Sequence, residues 1–420
     1  MIDIKPHKLA LRHKLALRRM ALALLHHSPF SVALSPKSLA SHLDAAAFER
    51  AKAQAIKVPK FGQRLDTLPF LRHAGLLGEE RSAAAVLDVR APCEYEKGHV
   101  PGAVNFPLFD DAERAEVGTL YKQEGHDVAV ARGLELVDRK LPSLLDALPP
   151  AVSEGDEVLV YCKRGGMRSG GIASLLSQAP LDVQLLDGGY AAFRQWALED
   201  VWAAHANPLV VLGGRTGSGK TDVLHALREI GAQIIDLEGD AHHRGSAFGS
   251  IGLPPQPTQQ MYENVLALQW AALSDGAPTF IEDEGAHVGS CGVPAGLWAH
   301  MRHPKTPVLR MEIPRAARID RLVAEYGPHG VGALSGAVRA LTKRLGAERT
   351  DEFLAHLAAT PPRLAEVADG LLTHYYDALY DGKASKRAEV SEVVVDMKCE
   401  TGDAREIAPM VVAKAAEMLR

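Results

Sequence analysis

From Gly214 to Thr221 the chain reads Gly-Arg-Thr-Gly-Ser-Gly-Lys-Thr, with the apolar run Leu209–Leu212 before it and a helical pattern from Asp222 to Ile230 after it. A strand, a glycine loop and a helix in that order are compatible with few architectures. The spacing fits G-x-x-x-x-G-K-[ST], in which backbone N–H groups wrap a polyphosphate, the lysine adds a point charge and the hydroxyl is placed for Mg2+. Gly214, Gly217, Gly219, Lys220 and Thr221 are therefore the candidate phosphate-binding residues. Further strand-like runs at 233–237, 278–282 and 308–312 complete an α/β unit, and residues from about 332 to 380 read as charged helices appended to it. What the phosphate belongs to is not encoded in the loop. Glu282, Asp283 and Glu284 end a strand, where a carboxylate that holds a metal-bound water belongs, and Glu282 or Asp283 fits that role. Asp236 and Glu238, ahead of His242 and His243, form a second acidic candidate. Adjacent histidines seldom point at one ion, so no direct metal ligand is assigned.

A second device lies upstream. Glu157–Tyr161 reads as a buried strand, and Cys162-Lys163-Arg164-Gly165-Gly166-Met167-Arg168-Ser169 follows it, with a helix expected from about 168 to 177. Glycine-rich backbone at a helix start, with Arg164 and Arg168 adding charge, favours a thiolate over a thiol. Cys162, Arg164 and Arg168 are the catalytic candidates. Such a sulfur anion attacks an electrophile, carries another chalcogen or meets an oxyanion. Strand-like runs at 86–90 and 183–186 surround it, so a small parallel α/β domain precedes the phosphate-binding one.

The 420 residues are too many for one core, and the chain is expected to divide into 1–64, 65–203, 204–330 and 331–420. Cys93, Cys162, Cys291 and Cys399 are too few and too scattered for a disulfide framework, which favours reduced cytoplasm. No uncharged apolar run reaches membrane-spanning length, so no membrane partner is expected. The net charge of −5 offers no global basic field, but residues 1–60 carry eleven lysines and arginines against three acids. That segment reads as a basic extension. Arg302, His303, Lys305, Arg310, Arg315, Arg318 and Arg321 form local basic clusters. They fit contacts to RNA phosphates, a solvated helix face, or a lid over a bound diphosphate.

Leu87–Arg90, Gly98–Pro107 and Leu186-Asp187-Gly188-Gly189-Tyr190 resemble the opening and closing motifs of the rhodanese family. Between them stand Glu113-Arg114, Val117-Gly118-Thr119, Tyr121-Lys122 and Gly125, which are not general to rhodaneses. Together with the cysteine segment, the glycine loop, Asp236–Gly239, His243–Gly249, Gln256–Gln259 and Glu282–Glu284, they resemble the tRNA 2-selenouridine synthase family from about residue 65 to about 390. The resemblance implies a rhodanese-like parallel-sheet domain followed by a P-loop α/β domain. It implies exchange of sulfur for selenium at 2-thiouridine in the tRNA wobble position, with selenophosphate as donor. A selenophosphate-producing enzyme is then a partner. It also implies S-geranylation from geranyl diphosphate, and that the family's essential cysteine is Cys162. Alkylation turns the C2 sulfur into a better leaving group, and a P-loop stabilises the departing diphosphate. Lys220, Thr221 and the Gly214–Gly219 backbone are then expected to bind the prenyl diphosphate, with a phosphate of ATP as the other ligand in view. Two positions depart from the family: Lys163 stands where tryptophan is common, and Gly285-Ala286 where Ser-Arg is expected.

Other readings of the residues compete. Cys162 and Arg168 also have the C-x5-R spacing of cysteine phosphatases, although Tyr161 replaces the histidine that usually precedes the nucleophile. A P-loop switch with an inert rhodanese module is the non-enzymatic alternative.

Overall fold

The computed structural model describes residues 63–78, 84–150, 152–153, 155–177, 181–203 and 208–420. The basic extension lies outside these, but for its last two positions. The chain divides into two compact units at Trp196/Ala197. Asp200–Ala203, expected to close the first domain, instead belongs to the second unit. There Trp202 packs 5.7 Å from Trp270, and its carbonyl lies 2.7 Å from His300 Nε2.

In the first unit, β1 (Arg64–Leu65), β2 (Ala85–Asp88), β3 (Val104–Asn105), β4 (Glu157–Tyr161) and β5 (Asp182–Leu186) form a parallel sheet in the order β1-β5-β4-β2-β3. β4 is central. Val158, Leu159, Val160 and Tyr161 are all fully buried, which is why its sequence runs apolar without alternation. Each such aliphatic side chain stabilises the fold by about 1.5–3 kcal/mol. The insertion between β3 and β4 is a helical pair, Asp111–Gln123 and His126–Asp146. Asp110 and Glu113 form a reciprocal capping box at the start of the first of these helices.

In the second unit, β6 (Leu209–Gly214), β7 (Gln233–Ile235), β8 (Thr279–Glu282), β11 (Val308–Glu312) and β12 (Val394–Lys398) make a parallel sheet in the order β12-β11-β6-β8-β7. The short β9 (His287–Val288) and β10 (Cys291–Gly292) pair separately. The C-terminal part, expected to be helical, therefore supplies an edge strand. It pairs with β11 over five residues because Val394, Val395 and Met397 make a short apolar run. The last helix, Ala404–Met418, then buries Ile407, Ala408, Val411 and Ala415 in the same core as Val223, Leu224 and Leu227 of the helix after the glycine loop. Helices between 315 and 390 build a separate core around Phe248, Leu334, Phe353, Leu357 and Leu371.

Candidate functional site

Cys162 sits one residue beyond β4, at the carboxyl end of a parallel sheet, where such sheets hold ligands. The loop turns back at Gly165, whose φ is +63°, and the helix Met167–Leu176 begins just after it. The closing motif shapes this loop. Tyr190 and Ala191 donate their backbone N–H groups to the carbonyls of Cys162 and Lys163 at 2.8 and 2.9 Å. A Cβ on Gly189, at φ +60°, would fall 2.4 Å from both the Cys162 carbonyl oxygen and the Gly165 nitrogen, so only glycine fits. The loop's amides are thus free to face inward.

The Sγ of Cys162 accepts a hydrogen bond from Ser169 Oγ at 3.3 Å. Burial by itself pushes the thiol up. The Arg168 charge, donation from the Ser169 side chain and backbone, and the Arg164 N–H outweigh it, so the thiol lies below its ordinary value. Arg164 acts here through its backbone, since its side chain is exposed, as is that of Lys163. Arg168 is held by Glu94, Nη1 to Oε2 at 2.7 Å, and the same oxygen receives Arg114 Nε at 3.4 Å. The insertion motif thereby reaches the cysteine through Glu94 and Arg168. Glu94 was legible only as a loop acid and was not singled out from sequence. The four cysteines are all free thiols, and Cys93 is tied to Asp111 rather than to Cys162.

In the second unit the glycine loop leaves β6 at Gly214, and the helix Lys220–Glu229 begins at its end. Gly217 and Gly219 have φ +77° and +74°, the left-handed conformation that turns successive N–H groups toward one point. Lys220 Nζ lies 3.4 Å from the Gly214 carbonyl. Burial lowers its ammonium, but Glu284, Glu238 and Glu282 surround it and the net shift is upward.

The carboxylates converge because β8 ends beside β6 and β7 ends beside β8. Thr221 Oγ1 lies 2.6 Å from Glu282 and 2.9 Å from Glu238. A hydroxyl has one proton to donate, so one carboxyl must bring its own. Burial and the neighbouring acids push Glu282 well up, and burial with the Glu284 charge raises Glu238 to about 8. Glu238 was a weaker candidate in the sequence. Gly245, φ +58°, explains part of the convergence: its Cβ would fall 2.6 Å from Glu284 Oε2 and 2.9 Å from Glu238 Oε1.

The other two acidic candidates are engaged elsewhere. Asp236 caps the helix Leu237–Ala241 through the Gly239 N–H and pairs with His225 at 2.7 Å. Asp283 pairs with Arg302 at 2.7 Å. Among the described residues no group of three or more His, Cys, Asp or Glu side chains is arranged to hold a metal ion.

The arginines of the basic clusters are also engaged within the fold. Arg310 pairs with Asp396, and Arg315 with Asp369. Arg318 pairs with Asp377 and donates from Nε to the Thr216 carbonyl at 2.9 Å, while Arg321 reaches the Gly217 carbonyl at 3.1 Å. These arginines brace the glycine loop from outside. Arg215 and Ser218 line a polar cavity of about 450 Å3 with Arg310 and Tyr380. It lies between β6 and β11, where the strand order reverses direction.

The raised Glu238 carboxyl has a measurable consequence. A group whose folded value exceeds its unfolded value favours folding while protonated, and that stability is lost as pH rises from the unfolded value toward about 8. Between pH 5 and 8.5 the ligand-free protein should lose thermal stability in the second unit. Glu238→Gln should cancel part of that loss, raising Tm at pH 8.5 by roughly 3–6 °C and leaving it unchanged at pH 5. Differential scanning calorimetry across that range checks it; an equal effect at both pH values would contradict a protonated Glu238.

Comparison with known proteins agrees with this division. Residues 74–195 match the rhodanese-like domain family, and residues 207–414 match the family described as the tRNA 2-selenouridine synthase AAA domain. Among curated relatives, the tRNA 2-selenouridine synthase of Shewanella piezotolerans is 36% identical over 334 residues, covering 72% of this chain and 90% of the relative. That of Shewanella woodyi is 34% identical over 338 residues, covering 73% and 90%. A third, from Shewanella halifaxensis, is 36% identical over 335 residues, covering 72% and 90%. Among the described residues no helix is long and apolar enough to cross a membrane. At 34–36% identity over about 90% of these relatives' length, the chain belongs to the tRNA 2-selenouridine synthase family.

Proposed function

We propose that this enzyme replaces the sulfur of wobble 2-thiouridine in tRNA with selenium, by two reactions run at its two loops. The observation that carries the reading is the coexistence in one chain of a lowered-pKa thiol and a braced phosphate loop. In the first reaction the glycine loop, Lys220 and Thr221 hold the diphosphate of geranyl diphosphate. The C2 sulfur donates an electron pair to the geranyl C1, the C1–O bond breaks toward the diphosphate, and the N3 proton passes to solvent. Preorganised N–H groups and the Lys220 ammonium stabilise the charge that develops on the leaving diphosphate. Thr221 and Glu282 offer two adjacent oxygens at the helix start, which suits Mg2+ bound through one or two protein oxygens and phosphate. Such an ion would add charge against the diphosphate.

In the second reaction selenophosphate, a tetrahedral oxyanion, enters the cysteine loop, where the Cys162–Arg168 spacing suits a phosphoryl group. The Cys162 thiolate attacks phosphorus. The Sγ–P bond forms, and the P–Se bond breaks with its electrons leaving on selenium, which takes a proton as hydrogen selenide. Hydrogen selenide adds at C2 of the S-geranylated base, geranyl thiolate leaves and is protonated, and water hydrolyses the thiophosphoryl cysteine to phosphate. The selenophosphate comes from a separate selenophosphate-producing enzyme.

The test is reconstitution. Purified protein, tRNA bearing 2-thiouridine and geranyl diphosphate should yield the S-geranyl nucleoside by mass spectrometry, and added selenophosphate should convert it to 2-selenouridine. No mass change in either incubation would reject the proposal.

A further inference from the structure

Among the described residues, only Nη1 of the Arg168 guanidinium has a hydrogen-bond partner, Glu94 Oε2 at 2.7 Å. The side edge formed by Nε and Nη2 carries no such bond, and that edge is able to grip two oxygens of one tetrahedral oxyanion. Glu94 takes the nitrogen outside this edge, so its hold leaves the fork open. Glu94 stands on the short helix Pro92–Glu96. Arg114 Nε reaches the same Glu94 oxygen at 3.4 Å, and Asp111 accepts the Cys93 N–H at 2.9 Å. Positions 111 and 114 share one face of the helix Asp111–Gln123, so that helix is fastened to Cys93 and Glu94 together.

Burial pushes the Glu94 carboxyl up, but the charges of Arg168, Arg114 and Arg90 outweigh it, and the group lies below its ordinary value. It is an anion throughout the range in which a thiol titrates. A carboxylate beside an oxyanion site acts in one of two ways. As a bare charge it repels both the thiolate and the incoming oxyanion. As an acceptor it fixes a long side chain that otherwise loses rotamer freedom at each binding event. The first way opposes the chemistry of the cysteine loop, and the second serves it.

We propose that Glu94 and Arg114 are positioning residues for the cysteine loop: Glu94 anchors Nη1 so that the Nε–Nη2 edge of Arg168 is presented to a tetrahedral oxyanion at Cys162, and Arg114 fixes Glu94. The inference rests on reading the loop as an oxyanion site. It gives the helical insertion between β3 and β4 a part in the chemistry without contact with the substrate.

The experiment is alkylation of the full chain by iodoacetamide across pH and with increasing inorganic phosphate. Mass spectrometry of the digested peptides reads Cys162 apart from Cys93, Cys291 and Cys399. Phosphate should slow the alkylation of wild-type Cys162 saturably. Glu94→Ala should weaken that protection by about tenfold or more, the cost of one charge-assisted contact, and move the alkylation midpoint to higher pH because Arg168 leaves the sulfur. Glu94→Gln keeps an acceptor oxygen in place and should stay within about threefold of wild type. Arg114→Ala should weaken protection by about two- to fivefold, and adding it to Glu94→Ala should change nothing further, since Arg114 acts through Glu94. Tighter phosphate or a lower midpoint in Glu94→Ala is the result expected from the mere removal of a negative charge, and it overturns the proposal. Glu94→Gln as weak as Glu94→Ala overturns it too, and additive effects in the double variant overturn the part assigned to Arg114. No phosphate protection of wild type overturns the oxyanion reading of the loop itself, and the proposal with it. If Glu94→Ala fails to fold, Arg114→Ala at its exposed helix position decides, and an unchanged phosphate constant there overturns the proposal.

Discussion

Cys162→Ser should lower selenium incorporation by about a thousandfold or more and leave S-geranylation of the same tRNA at the wild-type rate. Serine keeps the shape of the side chain, and the loop bonds that run through the Cys162 carbonyl and the Gly189–Tyr190 turn are untouched. What it removes is the anion. A hydroxyl has no thiolate-like form near neutral pH, and Arg168 with Ser169 cannot lower it far enough. The product accumulating with Cys162→Ser should be the S-geranyl nucleoside, read by mass spectrometry after nuclease digestion. Wild-type levels of 2-selenouridine from this variant would show that the cysteine loop has no part in the chemistry.

Lys220→Ala should give the opposite block. The ammonium lies in the loop among Glu238, Glu282 and Glu284, and it is the side-chain charge of the glycine-loop motif. Its loss should reduce geranylation by about a hundred- to a thousandfold, the range seen when one preorganised donor to a developing oxyanion is removed. Selenation of 2-thiouridine tRNA should fall with it, because the unalkylated sulfur is a poor leaving group. The discriminating arm supplies tRNA already S-geranylated: Lys220→Ala should then form 2-selenouridine normally. Failure with that substrate would mean that the phosphate loop serves both reactions, or that the variant is misfolded, which its unfolding transition would reveal.

The two loops were readable in the sequence because each is a local signal. β4 and β11 have the expected bounds, and the glycines of both loops sit at the turns their spacing demands. Partnerships across long sequence distances were not readable. Glu94 reaches Arg168 across 74 residues, and Thr221 reaches Glu282 across 61. Nothing in the local pattern separates Glu282, which meets Thr221, from Asp283, which meets Arg302, because alternate residues leaving a strand point in opposite directions. The acidic partners of the basic clusters were not readable either: Asp396, Asp369 and Asp377 meet Arg310, Arg315 and Arg318 across 86, 54 and 59 residues. β12 was hidden because Val393–Met397 is a short apolar stretch after a long helical region, and only the edge of β11 makes a strand of it.

The helix Arg315–Tyr326 touches two things at once. Arg318 and Arg321 grip the carbonyls of the glycine loop, and Arg315 and Arg318 pair with Asp369 and Asp377 of the helices that follow. An α-helix is stiff over three turns, so the loop and those helices are not free to shift independently. The helix acts as a tie rod: a change in the packing of the appended helices is transmitted to the turn of the glycine loop.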